Sequence, residues 1–357
     1  MTSHERVERV MRGERADRVP LDTPAFFPQF RENWAAYKGL PARSLEDHYG
    51  LDVWEVAADH SPKPSLARTI RDTPTECISR NGFGEVRREK PGGYYWEVLE
   101  VALKEKGDLD RFLFDDPQDD ARYAGMLKSY EKHTERYWVR AKVGGPYSRS
   151  KWLRGEAQFL MDLVTDEPFV RDLVGRVTDL MMTVGVESIR RLGLTTAMHI
   201  HDDFASLRGL FFSPDLYERI FLPAMKRMCA AFHAEGVKVI YGGEGRTADV
   251  LPDLIAAGFD ALCCLEPRAG VDVVALREQL GDGVVFFGSL CNTVLLPRGT
   301  KAEIRAAVLR EMRLARQGRS IVGPSHSVSG EVPPENLDYA YQLIREWAPY
   351  DASLPAR

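Results

Sequence analysis

Six stretches of this chain share one design, a short apolar run that ends in a polar or glycine-rich cluster. They read YWVRAKVGGP (137–146), AMHIHDD (197–203), KVIYGGEG (238–245), ALCCLEP (261–267), VVFFGSLCN (284–292) and SIVGPSHS (320–327). Segments of helical periodicity separate them, among them DLYERIFLPAMKRMCAAFHAEG (215–236) and KAEIRAAVLREMRLARQG (301–318). Apolar strands alternating with amphipathic helices are covered on both faces, which is the condition of a parallel sheet. Polar groups gathered where such strands end mark the catalytic mouth of a barrel. The expected architecture is an α/β fold, a single (β/α)8 TIM barrel with an elaborated N-terminal segment.

A chain of 357 residues suits one such barrel. The expectation is one domain over 1–357, with 1–135 as elaboration and first barrel elements and 136–349 as regular alternation. Apolar residues make up 44%, enough for a large core, and the net charge of −5 offers no basic field for nucleic acid or an acidic membrane. The start, MTSHERVERVMRGERADRVP, is charged and lacks an apolar h-region, and no run reaches the length of a membrane span. Five cysteines (Cys77, Cys229, Cys263, Cys264, Cys291) form an odd, unpatterned set, best read as reduced thiols of a cytoplasmic protein.

Local signals set the element boundaries. Gly236, Gly258 and Gly318 each follow a helical run and precede a strand, the position of a C′ glycine. Ser213-Pro214 reads as an N-cap and first-turn proline that open a long helix over 215–236. Upstream, helices are expected over 3–12 and 28–38, and 78–98 reads as a hairpin closed by Pro91-Gly92-Gly93.

Three groups of residues could carry chemistry. Glu244, set among Gly242, Gly243 and Gly245 directly after a strand, places a carboxylate where a cation or proton is handled, against the alternative of a surface turn. His326 ends the last strand, where an imidazole serves as ligand or acid–base group. His199, His201, Asp202 and Asp203 form the densest ionisable cluster. Strand alternation puts His199, His201 and Asp203 on one face, into the mouth, and turns Asp202 to a neighbouring loop or helix end. Two of the four satisfying each other is the simpler reading of part of that cluster. Glu266 and Cys291 each end a strand and could complete a metal set with Glu244 and His326. Cys263 and Cys264, being adjacent, are expected on opposite faces as small core residues. Phe26, Phe27, Trp54, Tyr95 and Tyr241 are candidate pocket walls, with buried core as the alternative for the aromatics.

Beyond these patterns, the segments VERVMRGERADRVP, HDDFASLRGLFFSPDLYERIFLPAMKRM, VLPDLIAAGFDAL, GSLCNTVLLPRGT and GPSHSVSGEVPPENL resemble the uroporphyrinogen decarboxylase superfamily over nearly the whole chain. The resemblance implies a (β/α)8 barrel with a deep pocket at the strand C-termini. That superfamily includes porphyrinogen decarboxylases and zinc-dependent methyltransferases that exchange methyl groups with a corrinoid protein or coenzyme M.

Departures choose between these branches. The porphyrin enzymes carry an arginine-rich stretch after the first strand, where this chain reads TPAFFPQFRE, and a pocket with Glu244, Glu266, Asp202 and Asp203 would repel a polyanion. The thiol-directed methyltransferases bind zinc through a His-x-Cys pair and a later Cys. The matching positions here are Gly242, Glu244 and His326, an oxygen- and nitrogen-rich set suited to a harder, more Lewis-acidic ion.

The expectation is a methyltransferase that moves a methyl group from a small methoxylated or methylated donor to cobalamin on a separate corrinoid protein. Zinc would sit on Glu244, His326 and either Glu266 or Cys291, with an acid from the His199–Asp203 cluster. A homodimer is one expected form. The alternatives are a metal-free decarboxylase, with His326 as anchor and Arg208 and Arg246 holding a carboxylate, and a non-catalytic binding protein.

Overall fold

The structure is a computed structural model that describes residues 1–90, 96–193 and 197–355. Strand β1 (Val53–Val56) is followed by an antiparallel sheet of β2 (Arg68–Asp72), β3 (Cys77–Arg80), β4 (Val86–Glu89) and β5 (Trp96–Glu100). Then come β6 (Trp138–Gly144), β7 (Ala197–His201), a small hairpin of β8 (Ala205–Ser206) and β9 (Gly209–Leu210), β10 (Lys238–Gly242), β11 (Ala261–Cys263), β12 (Val285–Phe287) and β13 (Ser320–Ile321). Seven of these form one parallel sheet in the order β1-β6-β7-β10-β11-β12-β13. Apart from the insertion after β1, spatial order is chain order, as in a sheet that curls steadily in one direction.

The two outer strands of that sheet are linked by an irregular segment. Val322 donates to the carbonyl of Pro20, Asp22 donates to the carbonyl of Val322, and on the other side Asp52 donates to the carbonyl of Leu21. Residues 20–22 therefore bridge the two outer strands through single bonds rather than a ladder. Asp52 holds the junction: its fully buried carboxylate accepts from the Leu21 amide at 2.8 Å and pairs with Arg6 at 2.6 Å and Arg18 at 2.8 Å. Arg6 lies on the helix Ser3–Met11, whose Val7, Val10 and Met11 pack with Val53, Trp138, Ala197, Ile240 and Ile321. The first helix thus covers the N-terminal end of the parallel sheet.

Several local readings need correction. The segment 78–98 is not one hairpin. β3 and β4 already pair across a turn held by the Asn81 side chain, which accepts from Phe83 and Glu85. β4 and β5 then pair on either side of Pro91-Gly92-Gly93, which lies outside the described residues, as does Tyr95. The long helix opens as expected, with Ser213 accepting from the Leu216 amide, but a π-turn over Tyr217–Phe221 interrupts it before Leu222–Ala234. Pro223 explains this, because its missing N–H and its ring break the regular ladder at that point. The three C′ glycines have positive φ, 78°, 115° and 109° at Gly236, Gly258 and Gly318. Among the described residues no helix is long and apolar enough to cross a membrane, and the five cysteines are free thiols.

Removing one partner from a buried ion pair leaves its mates charged in a low dielectric. Asp52→Ala is therefore expected to cost about 3–5 kcal/mol in denaturant unfolding. Arg9→Ala, on the exposed side of the same helix, should stay within about 0.5 kcal/mol. Equal losses in the two variants would show that Asp52 does not hold the closure.

Candidate active site

The inward face of the sheet is charged, and its charges stand in layers. Arg140, Lys142 and Gly144 share one face of β6, as do His199 and His201 on β7. In the lower layer the Glu55 carboxylate, from β1, meets Arg140 Nε at 2.9 Å, Lys142 Nζ at 3.0 Å and His199 Nδ1 at 2.6 Å. Burial alone would raise the Glu55 pKa, but Lys142, His199 and Arg140 together hold it well below the usual carboxylate range. Asp22 adds a second carboxylate to Arg140, at 3.1 Å.

His199 reaches Cys263 Sγ through its other nitrogen, at 3.4 Å. Gly242 leaves room for this contact, since a Cβ there would collide with both His199 Nε2 and Cys263 Sγ. Cys263 and Cys264 do not face opposite ways. Cys264 has φ of 60°, so the strand's alternation fails there and the two sulfurs lie 3.8 Å apart. The Cys264 S–H, then His199 and Arg140, draw the Cys263 thiol well below its ordinary pKa.

Above this layer lies a cavity of about 1010 Å³ at the C-terminal ends of the strands. Glu244, Glu266, Cys264, His326, Ser325 and Phe27 contribute to its wall. Glu244 and His326, both singled out from sequence, are brought together: His326 Nε2 lies 2.7 Å from Glu244 Oε1. The Glu244 amide donates to Asp203 Oδ1 at 2.9 Å, and Asp203 Oδ2 lies 3.2 Å from His201 Nε2. Burial works against a charged imidazole, yet Glu244 and Asp203 raise the His326 pKa above its ordinary value. Glu244 moves down, chiefly through its hydrogen bond to His326. Asp203 is held far below the carboxylate range by His201 and His326 in spite of burial. The result is a His326–Glu244 pair at the edge of the cavity, with Asp203 near enough to favour a charged imidazole.

The other candidates are placed differently. Asp202 turns away from the mouth and caps the helix Pro146–Arg154, accepting from Ser148 at 2.6 Å and Tyr147 at 3.0 Å. Burial still pushes its pKa up to about 6. Tyr241 is buried and donates its hydroxyl to the Asp202 carbonyl. Phe26 stacks on Phe30, and Trp54 stacks on His133 with centroids 3.7 Å apart. Both belong to the wall of a smaller cavity of about 280 Å³ beside Asp22 and Arg140, leaving Phe27 in the main one. Arg208 and Arg246 are exposed and are not in the wall of the main cavity. Glu266 accepts from Ser325 Oγ at 2.6 Å and from the Arg268 amide, while Cys291 contacts Thr293. Among the described residues no three His, Cys, Asp or Glu side chains are arranged to hold a metal ion. Glu244 and His326 stand paired with each other, a carboxylate and an imidazole at hydrogen-bond distance.

Sequence reasoning passed over Glu55, Arg140, Lys142 and Arg149. The signal for two of them was present, because Arg140 and Lys142 recur at period two in an otherwise apolar strand.

A curled parallel sheet with its polar cavity at the strand C-termini defines an α/β protein of the barrel kind, with its site where such folds carry chemistry. The chain belongs to the uroporphyrinogen decarboxylase family: residues 101–347 match the family described as uroporphyrinogen decarboxylase (URO-D). Among solved structures it is similar to a methyltransferase from Methanosarcina mazei, at 15% identity and a TM-score of 0.73, over 97% of this chain and 99% of that one. No curated protein matches the chain.

The sign of each shift fixes where the Glu244–His326 pair exists. His326, raised from 6.5, keeps its proton until the pH passes above that value, and Glu244, lowered from 4.5, keeps its charge until the pH falls below that one. The charged pair is thus complete across the interval between them. It is lost on the alkaline side by His326 and on the acid side by Glu244. In an NMR titration the His326 midpoint is expected above 6.5, and Glu244→Gln should lower it. An unchanged midpoint in the variant would remove the pair from the account.

Proposed function

We propose that this protein is a methyltransferase that takes a methyl group from a small methoxylated or methylated donor and delivers it to cobalamin carried by a separate corrinoid protein. The observation that carries the reading is the His326–Glu244 pair, with Asp203 bound to the Glu244 amide, at the edge of a cavity of about 1010 Å³. When a methyl–oxygen or methyl–nitrogen bond breaks, the electron pair stays on the leaving atom, which needs a proton. His326 supplies that proton and Glu244 stabilises the imidazolium before the transfer, as a positioned general acid does. The corrinoid supplies the two-electron nucleophile that accepts the methyl group. Phe27 offers the donor an apolar wall, and the C-terminal ends of the strands leave the partner an approach from solvent.

The fold shared with the Methanosarcina mazei methyltransferase supports the reaction class. In this reading residues 20–22 serve as the eighth strand of a (β/α)8 barrel. The glutamates of the cavity wall, Glu244 and Glu266 among them, suit a donor with little negative charge better than a polyanionic porphyrinogen.

The test is anaerobic turnover of a panel of methoxylated and N-methylated donors with cob(I)alamin. Wild type should demethylate at least one donor. His326→Gln should slow the reaction by roughly 100-fold or more with a smaller change in KM, as expected for loss of a general acid. Carbon dioxide release from a small acid, with no methyl transfer, would replace this reading with decarboxylation. Metal content belongs to the same experiment: about one zinc per chain, lost in Glu244→Ala and His326→Ala, would show that the pair parts to take an ion.

A further inference from the structure

Acid–base chemistry at His326 leaves two sulfurs unused, and they are neighbours both in the chain and in space. Cys263 ends β11 and Cys264 follows it, and the two are only 3% and 6% exposed. Adjacent residues of an extended strand point to opposite faces. Cys264 breaks that pattern with a φ of 60°, a conformation that non-glycine residues seldom adopt. The effect is to turn the second thiol back beside the first, with the sulfurs 3.8 Å apart. Backbone held in such a region persists only where its surroundings fix it, and such places cluster at functional sites.

Each sulfur has its own surroundings. Cys263 Sγ lies 3.4 Å from His199 Nε2, and His199 Nδ1 lies 2.6 Å from the Glu55 carboxylate. Carboxylate, imidazole and thiol stand in one row, the order in which a nucleophilic cysteine is activated. Cys263 is not in the wall of the main cavity, whereas Cys264 is, together with Glu244, Glu266 and His326. Either sulfur can donate across the contact between them, so a proton can pass between the activated thiol and the one that a small molecule can reach.

We propose that Cys263 and Cys264 form a reversible oxidation site, closed to a vicinal disulfide by hydrogen peroxide that enters the cavity and reopened by a thiol. Cys264 Sγ attacks one peroxide oxygen, the O–O bond breaks, and the departing hydroxide leaves as water with the Cys264 proton. The product is a sulfenic acid beside a second thiol. Cys263 Sγ, its proton drawn towards His199, then attacks Cys264 Sγ. The S–O bond breaks, and the second hydroxide leaves as water with that proton. The two sulfurs lose two electrons, and the peroxide gains them and ends as two waters. Cα atoms across a trans peptide stand about 3.8 Å apart, closer than the roughly 4.4–6.8 Å of an ordinary disulfide. The closed ring is therefore strained, the mark of a bond that thiols reduce readily. Closure brings the sulfurs nearer by about 1.7 Å. Cys263 then gives up His199 or Cys264 leaves the cavity wall, and the site changes either way.

The test counts thiols and needs neither donor nor corrinoid. The full chain is treated with a small excess of hydrogen peroxide, quenched with catalase, unfolded in denaturant and alkylated with iodoacetamide. Wild type should take up two labels fewer than its five cysteines allow, and its mass before labelling should fall by two hydrogens. Peptide fragmentation should place the missing labels at Cys263 and Cys264, and dithiothreitol should restore both. Cys263→Ser should stop at the sulfenic acid on Cys264, which dimedone captures, and Cys264→Ser should keep all its remaining thiols. The wild-type count stands whether or not either variant folds.

Five labels on peroxide-treated wild type would overturn the site. So would missing labels that map to Cys77, Cys229 or Cys291, or a disulfide between two chains. A loss that dithiothreitol does not reverse would mean oxidation past the sulfenic stage, and would overturn it equally.

Discussion

The Glu55 carboxylate is the contact on which the interior of this protein depends. Three groups that carry or can carry positive charge, on two strands, converge on it: Arg140 and Lys142 from β6 and His199 from β7. Each would be prohibitive alone in a low-dielectric core, and together they would repel one another. One carboxylate on the adjacent β1 reverses the balance, with Asp22 sharing the load at Arg140. The arrangement also has a steric condition. His199 can sit between Glu55 and Cys263 only because position 242 carries no side chain, so a glycine in β10 and a glutamate in β1 serve the same imidazole.

On this floor the site divides into two halves of opposite character. Around the ends of β7, β10 and β13, Asp203, Glu244 and His326 make a self-sufficient group whose charges answer one another. Around the end of β6, Lys142 is engaged by Glu55, and Arg149 packs on Trp152 with Asp202, Asp203 and Glu85 favouring its charge. The Asp202 carboxylate strengthens the division by leaving the cavity altogether, spending its acceptors on the amides that open the next helix.

How much of this could be read from the sequence follows from what each residue answers to. Strand ends, C′ glycines and the Ser213 cap answer to local rules, and the alternation at 199–203 correctly separated Asp202 from its neighbours. The closing segment 20–22 answers to none, because single bridges leave no periodic trace. Glu55 was invisible for another reason: in VWEV it looks like the polar residue of a half-exposed strand, and only the cations of β6 give it a role. Arg140 and Lys142 did announce themselves by their spacing, since two charges at period two in a buried strand must face something. Cys264 misled because alternation presumes extended backbone, and its φ of 60° ends the strand one residue early. Arg149 could not be found by motif at all. It belongs to a helix by sequence and meets the end of β6 only through the space that Gly144 leaves.

The charges of the cavity bear on the choice among the family's substrates. A porphyrinogen brings several carboxylates, and a site for it must offer several cations that are otherwise unpaired. Here the cations divide by their partners: Arg140 and Lys142 face Glu55, His326 faces Glu244, and Arg268 enters the cavity wall beside the buried Glu266. Lys90 and Arg298 also stand in that wall, together with Glu32, Glu89 and Glu331. A polyanion would have to set its charges against Glu244, Asp203 and Glu266.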